Sequence, residues 1–117
     1  MTIQKESPIF VKSYDLLRWL LPATLKFPKS QRFVLAKQIQ ETAFSFYDAL
    51  VQAGKRIAVA ESLHTADVAL ERLRLYIRLA KDLGFFGPGP YEHVVRQMAE
   101  IGRLLGAWIK KVKADKL

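Results

Sequence analysis

The residues with the most specific spacing for metal chemistry are Glu61 and His64. A Glu-x-x-His motif supplies two ligands in di-iron bundles, but such a site needs the motif on two helices and two further carboxylates. The other histidine, His93, has Pro90 at the position where the second glutamate would stand. We therefore expect neither a metal nor any other cofactor, and we interpret His64 as a surface residue near the start of a helix.

The remaining motifs do not predict catalysis. The chain contains no cysteine, which excludes disulfides, cysteine-based zinc sites and thiol nucleophiles. The glycine-rich segment 84–89 lacks the lysine and hydroxyl residue of a phosphate-binding loop, and no serine lies in a nucleophile elbow. We expect that the protein is not an enzyme and has no catalytic residues.

Basic residues are the strongest candidates for a functional site. The chain carries 19 Lys and Arg against 11 Asp and Glu, a formal net charge of +8, and its pI near 9.9 is typical of nucleic-acid-binding domains. On the predicted third and fourth helices these charges form stripes that can follow a phosphate backbone by displacing its counterions. The candidate residues are Arg74, Arg78, Lys81, Arg96, Arg103, Lys110 and Lys111.

Two alternatives to nucleic-acid binding remain open for these stripes. The charge could serve only solubility, as it does in many small basic proteins. Acidic neighbours could also neutralise it, because Asp67 and Glu71 share the face of Arg74, and Glu100 lies between Arg96 and Arg103. No aromatic residues interleave with the stripes as a single-strand stacking platform requires, so we predict electrostatic binding with weak sequence preference.

Four helical segments must position these residues. Prolines and glycines divide the chain, and no stretch alternates for long enough at the strand period to predict a sheet. The predicted helices cover about residues 8–26, 30–53, 60–84 and 90–113 of a single domain, residues 1–117.

Local signals predict the helix ends. Ser7, followed by Pro8, is a candidate N-cap of the first helix, and Ser30 is a candidate N-cap of the second. Pro22 should kink the first helix or end its regular part, and Gly54 indicates the end of the second.

Apolar residues recur at alternating spacings of three and four in the last three segments, which is typical of bundle cores. We therefore predict an all-α, antiparallel, up-down four-helix bundle. The expected core residues are Ala36, Ile39, Ala43, Phe46, Leu50 and Ala53 on the second helix, Leu63, Ala66, Leu70, Leu73, Ile77 and Ala80 on the third, and Tyr91, Val94, Met98, Ile101, Leu105, Trp108 and Val112 on the fourth.

The helices carry more apolar surface than one bundle core needs. The additional residues are Phe44, Tyr47 and Val51 on the second helix, Val68, Leu75 and Leu79 on the third, and Val95, Ala99, Gly102, Gly106 and Ile109 on the fourth. The small residues of the fourth helix would permit a close helix approach. Surplus apolar surface usually indicates a subunit or partner interface, although one wide buried face is the alternative. We predict self-association.

Nothing in the sequence predicts a membrane or export segment. No apolar stretch approaches the ~18 residues that span a bilayer, and the N-terminal residues lack an apolar segment behind a basic one. We expect a soluble, cytoplasmic protein without a membrane partner.

Several motifs occur along the chain in the order found in one known family. Residues 14–22 (YDLLRWLLP) and 27–33 (FPKSQRF) match its start, residues 70–83 its third helix, and residues 91–93 and 100–110 its fourth. By these motifs the sequence resembles the accessory variability determinant proteins of diversity-generating retroelements. The Phe-Pro-(Lys/Arg) turn is also found in related four-helix-bundle proteins encoded by intervening sequences of bacterial ribosomal RNA genes.

The resemblance implies a four-helix bundle that assembles into a barrel-like homopentamer with a positively charged surface and central channel. It implies binding to RNA and DNA and to the retroelement's reverse transcriptase, in support of mutagenic reverse transcription of template-repeat RNA. From the matched segments the resemblance carries over Arg74, Arg78, Arg103 and Lys110 as binding residues. Arg32 also matches, although a structural role in the turn motif is the alternative. The alternatives are a protein of the ribosomal-RNA intervening-sequence type and a purely structural, self-assembling bundle.

Overall fold

The computed structural model describes residues 7–115 of the chain. These residues form four α-helices and one short 3₁₀ helix, and none of them lies in a strand. The helices are α1 (Pro8–Thr24), α2 (Leu35–Gly54), α3 (Val59–Asp82) and α4 (Pro88–Asp115), and the 3₁₀ helix is Lys29–Gln31. The predicted all-α class is confirmed. No helix within this range is both long enough and apolar enough to cross a bilayer.

Helix α2 runs antiparallel to α3, as side-chain contacts near its two ends show. Near the start of α2 the Gln38 amide donates a hydrogen bond to the Tyr76 hydroxyl at 3.4 Å. Near its end the Ser62 hydroxyl donates to the Gln52 side chain, also at 3.4 Å. The start of α2 therefore lies beside the end of α3, and the end of α2 lies beside the start of α3.

Helix α4 closes the bundle against α1, again antiparallel. The Phe10 and Trp108 ring centroids lie 6.1 Å apart at one end, and those of Trp19 and His93 lie 5.1 Å apart at the other. Because α1 also packs against α2, and α3 against α4, each helix contacts two neighbours in an up-down bundle.

The core contains the residues that the helical spacing predicted. Every predicted core residue of α2 and α3 is buried, as are Val94, Met98, Ile101 and Leu105 of α4, while the other predicted core residues of α4 are half-buried and pack against them. Helix α1 completes the core with Ile9, Phe10, Leu16 and Leu20. Each large apolar side chain contributes about 1.5–3 kcal/mol through burial, which makes this shared core the main stabilising feature.

The connection between α1 and α2 is longer than predicted, and Ser30 is not an N-cap. Hydrogen bonds between residues three apart hold this segment in turns, such as those from Arg32 N to Lys29 O and from Val34 N to Gln31 O, both 3.2 Å. Val34 lies outside the helical region at φ −117° and ψ −97°. For this reason α2 begins at residue 35.

Helix α1 continues through Pro22 and ends two residues after it. The missing N–H of Pro22 removes only a bond to the carbonyl four residues earlier, and beyond the helix the amides of Leu25 and Lys26 bond to carbonyls three residues back. The α-helix therefore ends at Thr24 and not at residue 26. Ser7 occupies the N-cap position, but its side chain makes no capping hydrogen bond.

After α2 the chain reverses at Arg56 and not at Gly54, the residue from which the helix end was predicted. Gly54 is the last helical residue, while Arg56 adopts the left-handed conformation at φ 65°. The amide of Ile57 donates to Gln52 O, and that of Arg56 donates to Ala53 O, both at 3.0 Å. These two bonds form a Schellman motif, whose left-handed position is normally glycine.

The α3–α4 connection follows the usual pattern. Gly84 has φ +84°, and the amides of Phe85 and Gly84 donate to Ala80 O and Lys81 O, so that α3 ends at Asp82 in a second Schellman motif. Helix α4 begins at Pro88, earlier than predicted, because a proline in the first helical turn sacrifices no helical hydrogen bond.

Candidate nucleic-acid interface

Arg74 lies between α3 and α4. A β-carbon added at Gly102 of α4 would overlap Nη2 of Arg74, and the other terminal nitrogen, Nη1, lies 3.2 Å from Oε1 of Glu71. The guanidinium is thus positioned by a glycine on the neighbouring helix and by a carboxylate on its own. Of the two acidic neighbours considered from the sequence, Glu71 is its ion-pair partner.

Arg78 and Lys81 share a single carboxylate. Arg78 Nε lies 3.9 Å from one oxygen of Asp82, and Lys81 Nζ lies 3.9 Å from the other. Lys81 Nζ also lies 5.4 Å from the centre of the Tyr91 ring, within the range of a cation–π interaction. All three charged side chains are exposed, and such ion pairs contribute only about 0–1 kcal/mol, so a phosphate can compete with them.

The basic residues of α4 become less neutralised toward its C-terminal end. Arg96 pairs with Glu92, and Arg103 Nη2 lies 3.8 Å from Glu100, whose other oxygen lies 3.2 Å from Lys12 Nζ of α1. Lys110 and Lys111 are exposed, and neither has a carboxylate within 4 Å among residues 7–115.

The stripe of α3 thus lies along the seam with α4, since Arg74 contacts Gly102 and Lys81 contacts Tyr91. Successive residues of a helix are rotated by about 100°, which turns Arg103 from Gly102 toward solvent. The two stripes belong to adjacent, antiparallel helices, but they differ in surroundings: the first is partly packed between helices, and the second is exposed.

A further basic region lies along the α1–α2 connection and the start of α2, and of its residues the sequence-based reasoning considered only Arg32. Phe27 joins the α1–α2 and α3–α4 connections, with ring centroids 5.4 Å from Phe85 and 5.1 Å from Phe86. On the side of Phe27 that faces the start of α2 lies a hollow of about 570 Å³, which we call the loop-end hollow. Its lining residues are Thr24, Leu25, Phe27, Lys29, Arg32, Phe33, Ala36, Lys37 and Gln40.

The loop-end hollow combines cations with exposed apolar side chains. Phe33 is 80% exposed and Leu25 is 79% exposed, beside exposed Lys29, Arg32 and Lys37. The alternation of aromatic and basic residues in the segment FPKSQRF, residues 27–33, is the signal that could have identified this region. The prediction that no aromatic residues interleave with the cations concerned the helical stripes and did not extend to this segment.

The surplus apolar residues divide into two groups. Tyr47, Val51 and Ile109 are half-buried and pack against the core, in agreement with the wide-face alternative. The exposed group consists of Phe44, Val68, Leu75, Leu79 and Val95. The three residues on α3 follow one another at helical spacing, and the part of the chain that the structure describes leaves them uncovered.

Within a single chain, neither glycine of the surplus group on α4 lies against the backbone of a neighbouring helix. At Gly106 a β-carbon would meet no neighbouring atom within 4 Å, and the residue is exposed. At Gly102 the close neighbour is the Arg74 side chain, so the glycine makes room for a guanidinium and not for a helix backbone.

The residues of the Glu-x-x-His motif lie on the surface of the bundle. Glu61 and His64 are both exposed, and no group of three or more His, Asp or Glu side chains within residues 7–115 could hold a metal ion.

Hydrogen bonding to the Arg72 guanidinium, and then to the Gln38 amide, lowers the pKa of Tyr76.

Comparison with known proteins identifies the family. No curated protein matches the chain significantly. A family model described as bAvd-like matches residues 7–112, from the N-cap of α1 to the last turns of α4. This match agrees with the motifs that resemble accessory variability determinant proteins of diversity-generating retroelements. The chain therefore belongs to the bAvd-like family.

Proposed function

We propose that the protein is a non-enzymatic accessory protein of a diversity-generating retroelement. In this role it binds nucleic acid and the element's reverse transcriptase, and it supports mutagenic reverse transcription of template-repeat RNA in the cytoplasm. The match to the bAvd-like family over residues 7–112 is the observation that carries the proposal.

The charge distribution supports a nucleic-acid partner. The net charge of +8 is concentrated in exposed side chains whose ion pairs are weak or absent, such as Arg78, Lys110 and Lys111. Phosphates can approach these cations at little cost, because exposed ion pairs contribute at most about 1 kcal/mol. Binding through phosphates would extend to RNA and DNA and would depend weakly on sequence.

The exposed apolar residues of α3 support self-association. Val68, Leu75 and Leu79 would be covered in an assembly, and the homopentamer that the family resemblance implies is the assembly that we propose. A ring of subunits would repeat each basic stripe and raise the avidity for a long polyanion.

Two binding measurements test this function. The purified protein should bind single-stranded RNA and DNA at low salt, with an affinity that falls steeply as salt increases. A reverse transcriptase of a diversity-generating retroelement, coexpressed with the protein, should copurify with it, and the variant R103A/K110A should retain less of that enzyme. A folded assembly that binds neither nucleic acid nor the reverse transcriptase at low salt would overturn the proposal and favour a purely structural bundle.

A further inference from the structure

We propose that the loop-end hollow binds an unpaired nucleotide of a single-stranded nucleic acid, with its base stacked on Phe33 and its phosphates held by Lys29, Arg32 and Lys37. The inference rests on the proposed function, since it assigns a specific site and strand state to the binding of nucleic acid. On the helical stripes the Tyr91 ring beside Lys81 is half-buried, whereas this hollow offers an exposed aromatic face.

The exposure of Phe33 is the first argument. Four of the seven phenylalanines are buried, whereas the Phe33 side chain is 80% exposed, more than any other phenylalanine of the chain. Leaving such a ring in water forgoes about 1.5–3 kcal/mol of burial. Its backbone is nonetheless ordered by the turn bonds from Arg32 N to Lys29 O and from Val34 N to Gln31 O. The ring is therefore presented at a defined place beside the hollow.

The volume and lining of the hollow are compatible with a planar base. Its volume of about 570 Å³ lies within the usual range of ligand sites. Buried Phe27 and Ala36 form an apolar part of the lining. The Gln40 amide, which donates to Thr24 Oγ1 at 2.8 Å, places polar groups beside it. A heteroaromatic base can use both surfaces, because its faces are apolar and its edges form hydrogen bonds.

The charge around the hollow favours a nucleic acid over an apolar protein segment. No acidic residue lines it. Among residues 7–115, Lys29 and Arg32 have no carboxylate within 4 Å, and the partner of Lys37 is Glu41 at 4.0 Å, the limit of an ion pair. A base-stacking aromatic among unneutralised cations is the arrangement of single-strand-binding sites. A duplex cannot use it fully, because its bases are already stacked on each other.

The test compares a labelled oligouridine of about 12 nucleotides, within the site sizes of single-strand-binding folds, with a duplex of equal length. Phe33→Ala should weaken binding of the single strand by about 5- to 150-fold, the range of one lost base–aromatic stack. Phe33→Trp should retain binding, and duplex affinity should change less than about 2-fold in both variants. Phe44→Ala is the matched control, since Phe44 is a partly exposed phenylalanine outside the hollow.

The remaining outcomes distinguish a failure of this inference from a failure of the proposed function. If the wild type binds the single strand and Phe33→Ala binds it equally well, the hollow is not the site, although the protein still binds nucleic acid. If the wild type binds no strand at low salt, both proposals fail. A change in the mass of the assembly in Phe33→Ala, measured on the same preparation, would make Phe33 a subunit contact and overturn the inference.

Discussion

The guanidinium of Arg74 on α3 lies over Gly102 on α4, in the space that a β-carbon at position 102 would occupy. Arg74 is therefore both a member of the basic stripe and a packing element between two helices. Its charge is shared with Glu71 at 3.2 Å, which makes it less available to a phosphate than the lysines at the end of α4.

Gly102 and Gly106 should respond differently to alanine. Gly106→Ala should stabilise the protein by about 0.5–1 kcal/mol, because alanine favours the helix and a β-carbon there meets nothing within 4 Å. Gly102→Ala should stabilise the protein less, because the Arg74 side chain must move and its ion pair with Glu71 is then weakened. Denaturant unfolding of both variants measures the difference; a loss of stability and of assembly mass in Gly106→Ala would indicate that another subunit covers this residue.

Arg56 is one of two non-glycine residues with positive φ among residues 7–115, the other being Ala58, and a glycine should stabilise the protein there. Its φ of 65° costs a non-glycine residue about 1–2 kcal/mol, part of which glycine loses again through its flexibility in the unfolded chain. Arg56→Gly should therefore raise the free energy of unfolding by about 0.5–1 kcal/mol. Lys55→Gly, at a neighbouring residue with φ −86°, is the control and should not stabilise. Equal effects in the two variants would contradict this explanation.

The exposed leucines of α3 should matter for assembly and not for folding of the chain. Leu75→Ser with Leu79→Ser removes apolar surface that is about half exposed in the single chain and should dissociate the assembly without loss of helical circular dichroism. Light scattering should give five times the 13.4 kDa chain mass for the wild type and a lower mass for the variant. Leu83→Ser, at an exposed leucine beyond α3, is the control, and an unchanged mass in the double variant would exclude this interface.

Tyr76 should ionise at a lower pH than ordinary tyrosines, because Arg72 and Gln38 stabilise its phenolate and lower its pKa. Because the pKa is lower in the folded state, this group adds no stability below the folded-state pKa. Its contribution to the free energy of unfolding increases as the pH rises above that pKa, and it is complete above the unfolded value of about 10. Arg72→Gln should shift the ionisation back toward the ordinary pKa in an absorbance titration, with Tyr76→Phe assigning the signal. An unchanged titration would show that Arg72 does not act on this group.

The core could be predicted from the sequence, whereas the connections and the loop-end hollow could not. Residues such as Leu70 and Ile101 were identified because their burial follows from helical spacing alone. Helix α2 starts later than predicted because the preceding residues form hydrogen bonds between residues three apart. The presence of Ser30 as a candidate N-cap does not indicate these bonds. The hollow depends on how the α1–α2 connection folds against the start of α2, which places Phe27 and Phe33 beside Ala36.

The sequence predicted which basic residues belong to the candidate site. It did not predict how far neighbouring carboxylates neutralise each of them. Helical spacing identified the stripes, including Arg96 and Lys111. It could not show that Arg74 packs over Gly102, because that contact depends on how α3 and α4 align. It also could not assign Glu100 to Lys12, which lies on a third helix.

The salt dependence of RNA binding tests the central claim most directly. The triple variant R103A/K110A/K111A removes exposed cations of α4, and R72A, which removes a cation beside Tyr76 on α3, is the control. The account predicts that the triple variant stays folded and assembled, loses affinity for all sequences alike, and shows a salt slope lower by about 1 for each lost phosphate contact. A folded, assembled triple variant with the affinity and salt slope of the wild type would contradict it.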